Sequence, residues 1–219
     1  SMVDKEGQLF GHEVELAKIL AKAMGVEVEF VPTEWSGIIP ALLTGKFDVI
    51  IGGMGITTER ALKVNYSIPY EYSGMDCVVS YDMLSGADSL EDLNKENIII
   101  AVRMGGTPTA AAKKFTPKAQ LHQFDSDEAV IQDVLNGNAH AAFSSSPKPA
   151  YWAADYSDKV YRPLGGELFT KEPSGFVVPK GDPDSLFFFN AWIRDNEDWL
   201  KDRSDYWYGT KDWEYLLPE

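Results

Sequence analysis

The chain has 219 residues, of which 44% are hydrophobic and 25% charged, and its formal net charge is −14. That composition is ordinary for a globular protein, and the length suffices for one large core or two small ones. The acidity argues against nucleic-acid binding and against adhesion to an anionic membrane, since each needs a basic face.

Val14, Ala17, Leu20, Ala21 and Met24 recur at helical spacing between Gly11 and Gly25, and Gly25 is a natural stop. Val26 to Val31 alternates apolar and acidic residues and predicts a strand. Ser36 to Leu43 predicts a short helix containing Pro40, and Asp48 to Ile51 a short buried strand. This alternation predicts an α/β domain with a parallel sheet. The strand over 48–51 ends in Gly52-Gly53, where backbone can approach a ligand unobstructed. Thr57 or Thr58 then caps a turn carrying Arg60, whose guanidinium suits a carboxylate. The spacing fits a surface arginine on a tight turn equally well.

Further on, Cys77 to Tyr81 predicts a strand, and the lone Cys77 in its apolar run reads as a small buried hydrophobe. Asp88 and Glu91 have capping-box spacing, as do Asp125 and Glu128 ahead of a helix over 127–135. Strands are expected over 98–102, 139–143 and 175–179. Between them, Gly105-Gly106-Thr107-Pro108 predicts a helix start with Thr107 as cap and Pro108 at the first helical position. Its free N–H groups favour an anion, which Arg103 would also reach; an ordinary capped helix with a surface arginine reads the same way. His12, His122 and His140 lack ligand spacing, so no metal site and no cofactor are expected. No apolar run reaches transmembrane length. Ser1-Met2 is expected to be a remnant of tag removal, and no secretory leader is read.

Residues 45–70, GKFDVIIGGMGITTERALKVNYSIPY, carry the most specific signal. Gly45, Asp48, Met54, Ile56, Thr57, Glu59, Arg60, Ser67, Pro69 and Tyr70 match the signature of the extracellular solute-binding proteins of family 3. These are polar-amino-acid receptors of ABC importers. Gly55 replaces the usual Ser or Thr and Tyr66 the usual Phe, and the likeness extends over nearly the whole chain. The resemblance implies an α/β fold of the type II periplasmic-binding-protein kind. Two lobes joined by two crossing strands would close over a ligand by hinge motion. Lobe one would span 1–80 and 178–219, and lobe two 81–177. Helices of lobe one would come from 184–202, with the aromatic tail 206–213 packing back. The family's first strand and its aromatic loop are expected to be absent here, leaving a slot in lobe one that raises the chance of a strand-exchanged dimer.

The resemblance also implies a ligand-binding set. Arg60 would take a carboxylate, Gly53 and Gly55 would offer backbone groups, and Trp35 would stack on the ligand unless it is a core residue. In lobe two, Arg103, Gly106 and Thr107 would complete the anion grip. Ser145 stands where the family usually has the Asp that accepts an α-ammonium, and a hydroxyl does not balance a buried cation. Either the ligand is richer in negative charge than a plain amino acid, or Glu172 supplies the lost charge. The leading expectation is a non-enzymatic periplasmic receptor delivering an amino acid or small carboxylate to a membrane ABC permease. The alternatives are the sensor domain of a membrane receptor and a cyclohexadienyl-dehydratase-like enzyme, with Glu172 as acid.

Overall fold

The computed structural model describes residues 2–209 and 212–216. In chain order the elements are β1 (Met2–Val3), β2 (Leu9–Phe10), α1 (His12–Met24), α2 (Ile38–Leu43), α3 (Thr58–Ala61), β3 (Val64–Tyr66) and β4 (Glu71–Ser73). There follow β5 (Met75–Ser80), α4 (Leu90–Leu93), β6 (Ile99–Arg103), α5 (Thr107–Phe115), β7 (Gln120–Phe124), α6 (Asp127–Leu135), β8 (Ala141–Ser145), α7 (Lys148–Asp155) and β9 (Val160–Tyr161). The chain ends with β10 (Glu172–Ser174), β11 (Val177–Pro179), α8 (Pro183–Asp195) and α9 (Glu197–Gly209). Two compact units result, one of residues 1–33, 37–72 and 173–219, the other of 34–36 and 73–172.

The second unit is built on a mixed sheet in the order β7-β6-β8-β5-β9. β6 runs parallel to β7 and β8, with Ile100 opposite both Leu121 and Ala141, whereas β5 runs antiparallel to β8 and β9. Its inner strands are buried on both faces, so β5 (MDCVVS) is a continuous apolar run broken by one acid. That acid, Asp76, accepts from Arg162 Nε at 2.7 Å and Nη2 at 2.6 Å, which meets its charge in the core. Cys77 is fully buried, and burial pushes its thiol up. One face packs Val102, Ala112 and Phe143, the other Val130, Val134 and Trp152.

The first unit holds a core of Leu16, Leu20, Tyr70, Phe176, Phe189 and Trp192. α1 ends at Gly25, whose φ of 70° is the left-handed cap the sequence implies. α9 is tied to α1 where Glu15 Oε2 accepts from Arg203 Nε at 2.9 Å and from Trp207 Nε1 at 2.7 Å. Trp207 and Trp213 lie with ring centroids 5.8 Å apart, so this part of the aromatic tail packs back; Thr210 and Lys211 lie outside the described residues.

Several expectations fail locally. Residues 26–31 form no strand, and Val26 and Val28 are exposed; alternation makes a strand only where a neighbouring backbone supplies a ladder. The run 48–51 contributes a single bridge, Ile50 to Val177, and the pairing of β3 with β11 is antiparallel. No parallel ladder is present in the first unit among the described residues. Both expected capping boxes shift by one residue. Ser89 and Ser126 are the caps, accepting from Asp92 N–H and Ala129 N–H, because a serine hydroxyl next to each acid reaches the free amide.

Candidate functional site

In the first unit the chain after Ile50 turns through Gly53, whose φ is 65°, a conformation that only glycine adopts cheaply. Gly53 N–H donates to Tyr70 Oη at 2.9 Å. Gly55 then bridges Ser174, and Ile56 N–H donates to the Pro173 carbonyl at 2.8 Å. Thr57 caps α3, its hydroxyl accepting from Arg60 N–H at 3.2 Å. That turn carries the Arg60 side chain back, and Nη1 donates to the Gly55 carbonyl at 2.9 Å. Tyr66 Oη donates to the same carbonyl at 3.3 Å. Burial raises the Tyr66 phenol above its ordinary range, with the Arg60 charge opposing. Arg60 and Gly55 are thus brought together, with a guanidinium fixed at one edge by a backbone carbonyl. Gly53 gives its N–H to Tyr70.

In the second unit β6 delivers Arg103 at its end. The turn after it uses Gly105 at φ 70°, and α5 begins at Thr107. The cap is Gly106, with Thr107 and Pro108 as the first two helical residues, one step from the expected start. Thr109 rather than Thr107 closes this turn, its hydroxyl donating to the Arg103 carbonyl at 2.8 Å. The Arg103 guanidinium lies 4.6 Å from the Trp35 ring centroid, so these two expected residues meet.

Arg103 Nη1 also donates to Asp127 Oδ2 at 2.8 Å. The same carboxylate accepts from Lys148 Nζ, and its Oδ1 accepts from Ser144 Oγ at 3.2 Å. Asp127 and Lys148 are absent from the expected set. Asp127 is buried at the first turn of α6, and in the stretch DSDE it reads simply as a helix-dipole acid. Its presence alters the charge argument. Two cations face one carboxylate here, so the cluster keeps one net positive charge rather than two. Ser145 ends β8 opposite Met75, half-buried, while its neighbour Ser144 holds Asp127. Glu172 opens β10, and its Oε1 accepts from Thr170 Oγ1 at 3.0 Å. Elsewhere in the first unit, His12, Glu13 and Glu71 bring ligand-type atoms within 4.8 Å of one another.

The chain can be set beside known proteins on this basis. It is 42% identical to the ancestral amino acid-binding protein AncCDT-1, a precursor of cyclohexadienyl dehydratase, with a TM-score of 0.85 over 94% of this chain and 88% of that one. A Wolinella succinogenes protein complexed with lysine, described as a binding component of an ABC transporter, is 34% identical. Its TM-score is 0.87, covering 97% of this chain and 92% of that one. The L-cystine-binding protein TcyJ of Escherichia coli K12 is 29% identical over 209 residues, 94% of this chain and 76% of TcyJ. These likenesses carry the type II periplasmic-binding-protein fold. The family model for bacterial extracellular solute-binding proteins, family 3, matches residues 1–210, and the chain belongs to that family.

Proposed function

We infer that this chain is the periplasmic receptor of an ABC importer and captures an amino acid or a closely similar carboxylate-bearing solute without catalysing a reaction on it. The observation that carries the reading is the pairing of Arg60 with the Gly55 carbonyl on a capped turn at a chain reversal. The Gly55 carbonyl fixes the orientation of the guanidinium there, which pre-organises a planar cation suited to a carboxylate. Capture by lobe one followed by closure of lobe two, and docking on a permease, belong to the proposal and rest on family membership. So do the roles of Trp35, Gly53, Gly55, Arg103, Gly106, Thr107, Ser145 and Glu172 as ligand contacts; the lobes are divided after 72 and 172 rather than at 80 and 177, since β5 lies in the sheet of the second unit.

Asp127 leaves its cluster with Arg103 and Lys148 one net positive charge rather than two, which suits a ligand with a single carboxylate, as a plain amino acid has, better than an anion-rich one. The test is a thermal-shift screen of amino acids, dicarboxylates and aromatic acids on the chain. A rise in melting temperature with a subset of α-amino acids, lost in Arg60→Ala, is expected. A response confined to acids without an ammonium would overturn the amino-acid reading. Turnover of prephenate by the same preparation would overturn the receptor reading in favour of an enzyme, with Glu172 as its first candidate acid.

A further inference from the structure

The first unit contains a buried group of acids and one histidine that the candidate ligand site does not use. His12 and Glu13 open α1, Glu71 lies on β4, and Tyr208 comes from α9. The side chains of His12 and Glu71 are 3% and 6% exposed, and that of Glu13 14%. His12 Nδ1 lies 3.6 Å from Glu13 Oε1 and 3.5 Å from Glu71 Oε2. Metal bonds of about 2.0–2.1 Å at a tetrahedral centre place neighbouring ligand atoms roughly 3.3–3.5 Å apart. The two measured edges are close to that span and longer than the usual hydrogen bond.

A second observation points the same way. Glu71 Oε2 is buried and has no hydrogen-bond partner among the described residues, although it faces His12 Nδ1; His12 Nε2 likewise has none. A buried carboxylate oxygen with no donor is costly, and a cation is the partner that a facing imidazole nitrogen and a second carboxylate would share. Tyr208 Oη donates to Glu13 Oε1 at 2.8 Å and is hydrogen-bonded to His12 Nδ1 at 3.0 Å, so one hydroxyl touches two of the donor atoms and holds them side by side. Gly53 leaves the space open, since a Cβ there would stand 3.6 Å from Glu13 Oε1 and 3.7 Å from Glu71 Oε1.

We propose that His12, Glu13 and Glu71 form a binding site for one divalent first-row cation, zinc foremost, with Tyr208 as the positioning residue. One nitrogen and two carboxylate donors with a fourth position left to water match zinc better than the harder calcium or magnesium, which prefer all-oxygen shells. The expectation of no metal site was drawn from histidine spacing alone, and this set uses a single histidine.

The test is calorimetric titration of Zn²⁺ into chelator-treated, tag-free protein at pH 7.5. Co²⁺ loading of the same protein is followed by visible absorption. One Zn²⁺ per chain and the intense absorption of tetrahedral or five-coordinate Co²⁺ are expected. Glu71→Gln and His12→Asn should each weaken Zn²⁺ binding by at least about 100-fold, and Tyr208→Phe by about tenfold. Absence of stoichiometric uptake by the unaltered chain would overturn the proposal. So would uptake that Glu71→Gln and Tyr208→Phe both leave unchanged, because the ion would then sit elsewhere. Should either ligand variant fail to fold, the Co²⁺ spectrum of the unaltered chain still decides, since octahedral, weakly absorbing Co²⁺ contradicts the site.

Discussion

Asp127 Oδ2 accepts a hydrogen bond from Arg103 Nη1 at 2.8 Å, and Lys148 donates to the same oxygen. The carboxylate side chain is 7% exposed and that of Arg103 24%. Removing the acid leaves two cations facing each other with no counter-charge, whereas removing Arg103 leaves Asp127 paired with Lys148. Asp127→Ala is therefore expected to destabilise the protein by about 3 kcal/mol and Arg103→Met by only about 1 kcal/mol. Chemical denaturation of the two variants checks this. Equal losses would show that Lys148 does not compensate.

Arg60 is held by the Gly55 carbonyl through Nη1, and a lysine amine has no second, coplanar donor pair to offer a carboxylate. Arg60→Lys should preserve the fold while weakening binding of any amino acid identified by the thermal screen at least about tenfold, or ~1.4 kcal/mol. Calorimetry with that ligand gives the ratio. An unchanged affinity would remove Arg60 from the binding set.

His140 Nδ1 accepts the Ile99 N–H at 3.1 Å, so the imidazole is held neutral on that side, and burial lowers its pKa below the ordinary 6.5. A histidine with a depressed folded-state pKa contributes stability above the ordinary value and loses it as pH falls below about 6.5, because the unfolded chain then binds the proton more readily. Between pH 7.5 and 5.5, His140→Asn, whose Oδ1 accepts the same N–H, should therefore gain melting temperature relative to the unaltered chain; a difference that stays constant over that interval would remove His140 as a source of pH dependence.

Gly74 lies buried just before β5, and a Cβ on it would collide with the Thr170 carbonyl oxygen and stand 3.1 Å from Leu168 Cβ. The obstacle is backbone, which does not rotate away. Gly74→Ala is expected to cost about 3 kcal/mol or more. Gly37→Ala, where an added Cβ meets nothing within 4 Å, should stay within about 0.5 kcal/mol and serves as the control in a urea titration.

The sequence by itself determined the family, the α/β class and most helices and strands of the second unit. Those elements report local periodicity and caps: the apolar run in β6, the acid-rich start of α6 and Gly25 after α1 each state their structure within a few residues. It also pointed to Arg60 and Gly55, which the structure brings together, since both lie in one contiguous signature. Only the tertiary structure decided which residues meet. A strand needs a partner backbone, so Val26 to Val31 stays unpaired despite its alternation, while Ile50 pairs with Val177 from the far end of the chain. Charge balance is likewise non-local. Asp127 finds Arg103 and Lys148 through the order of β6, β8 and the helices that flank them, and Glu71 finds His12 through the packing of β4 on α1. Those pairings come from long-range packing, which a one-dimensional pattern does not encode.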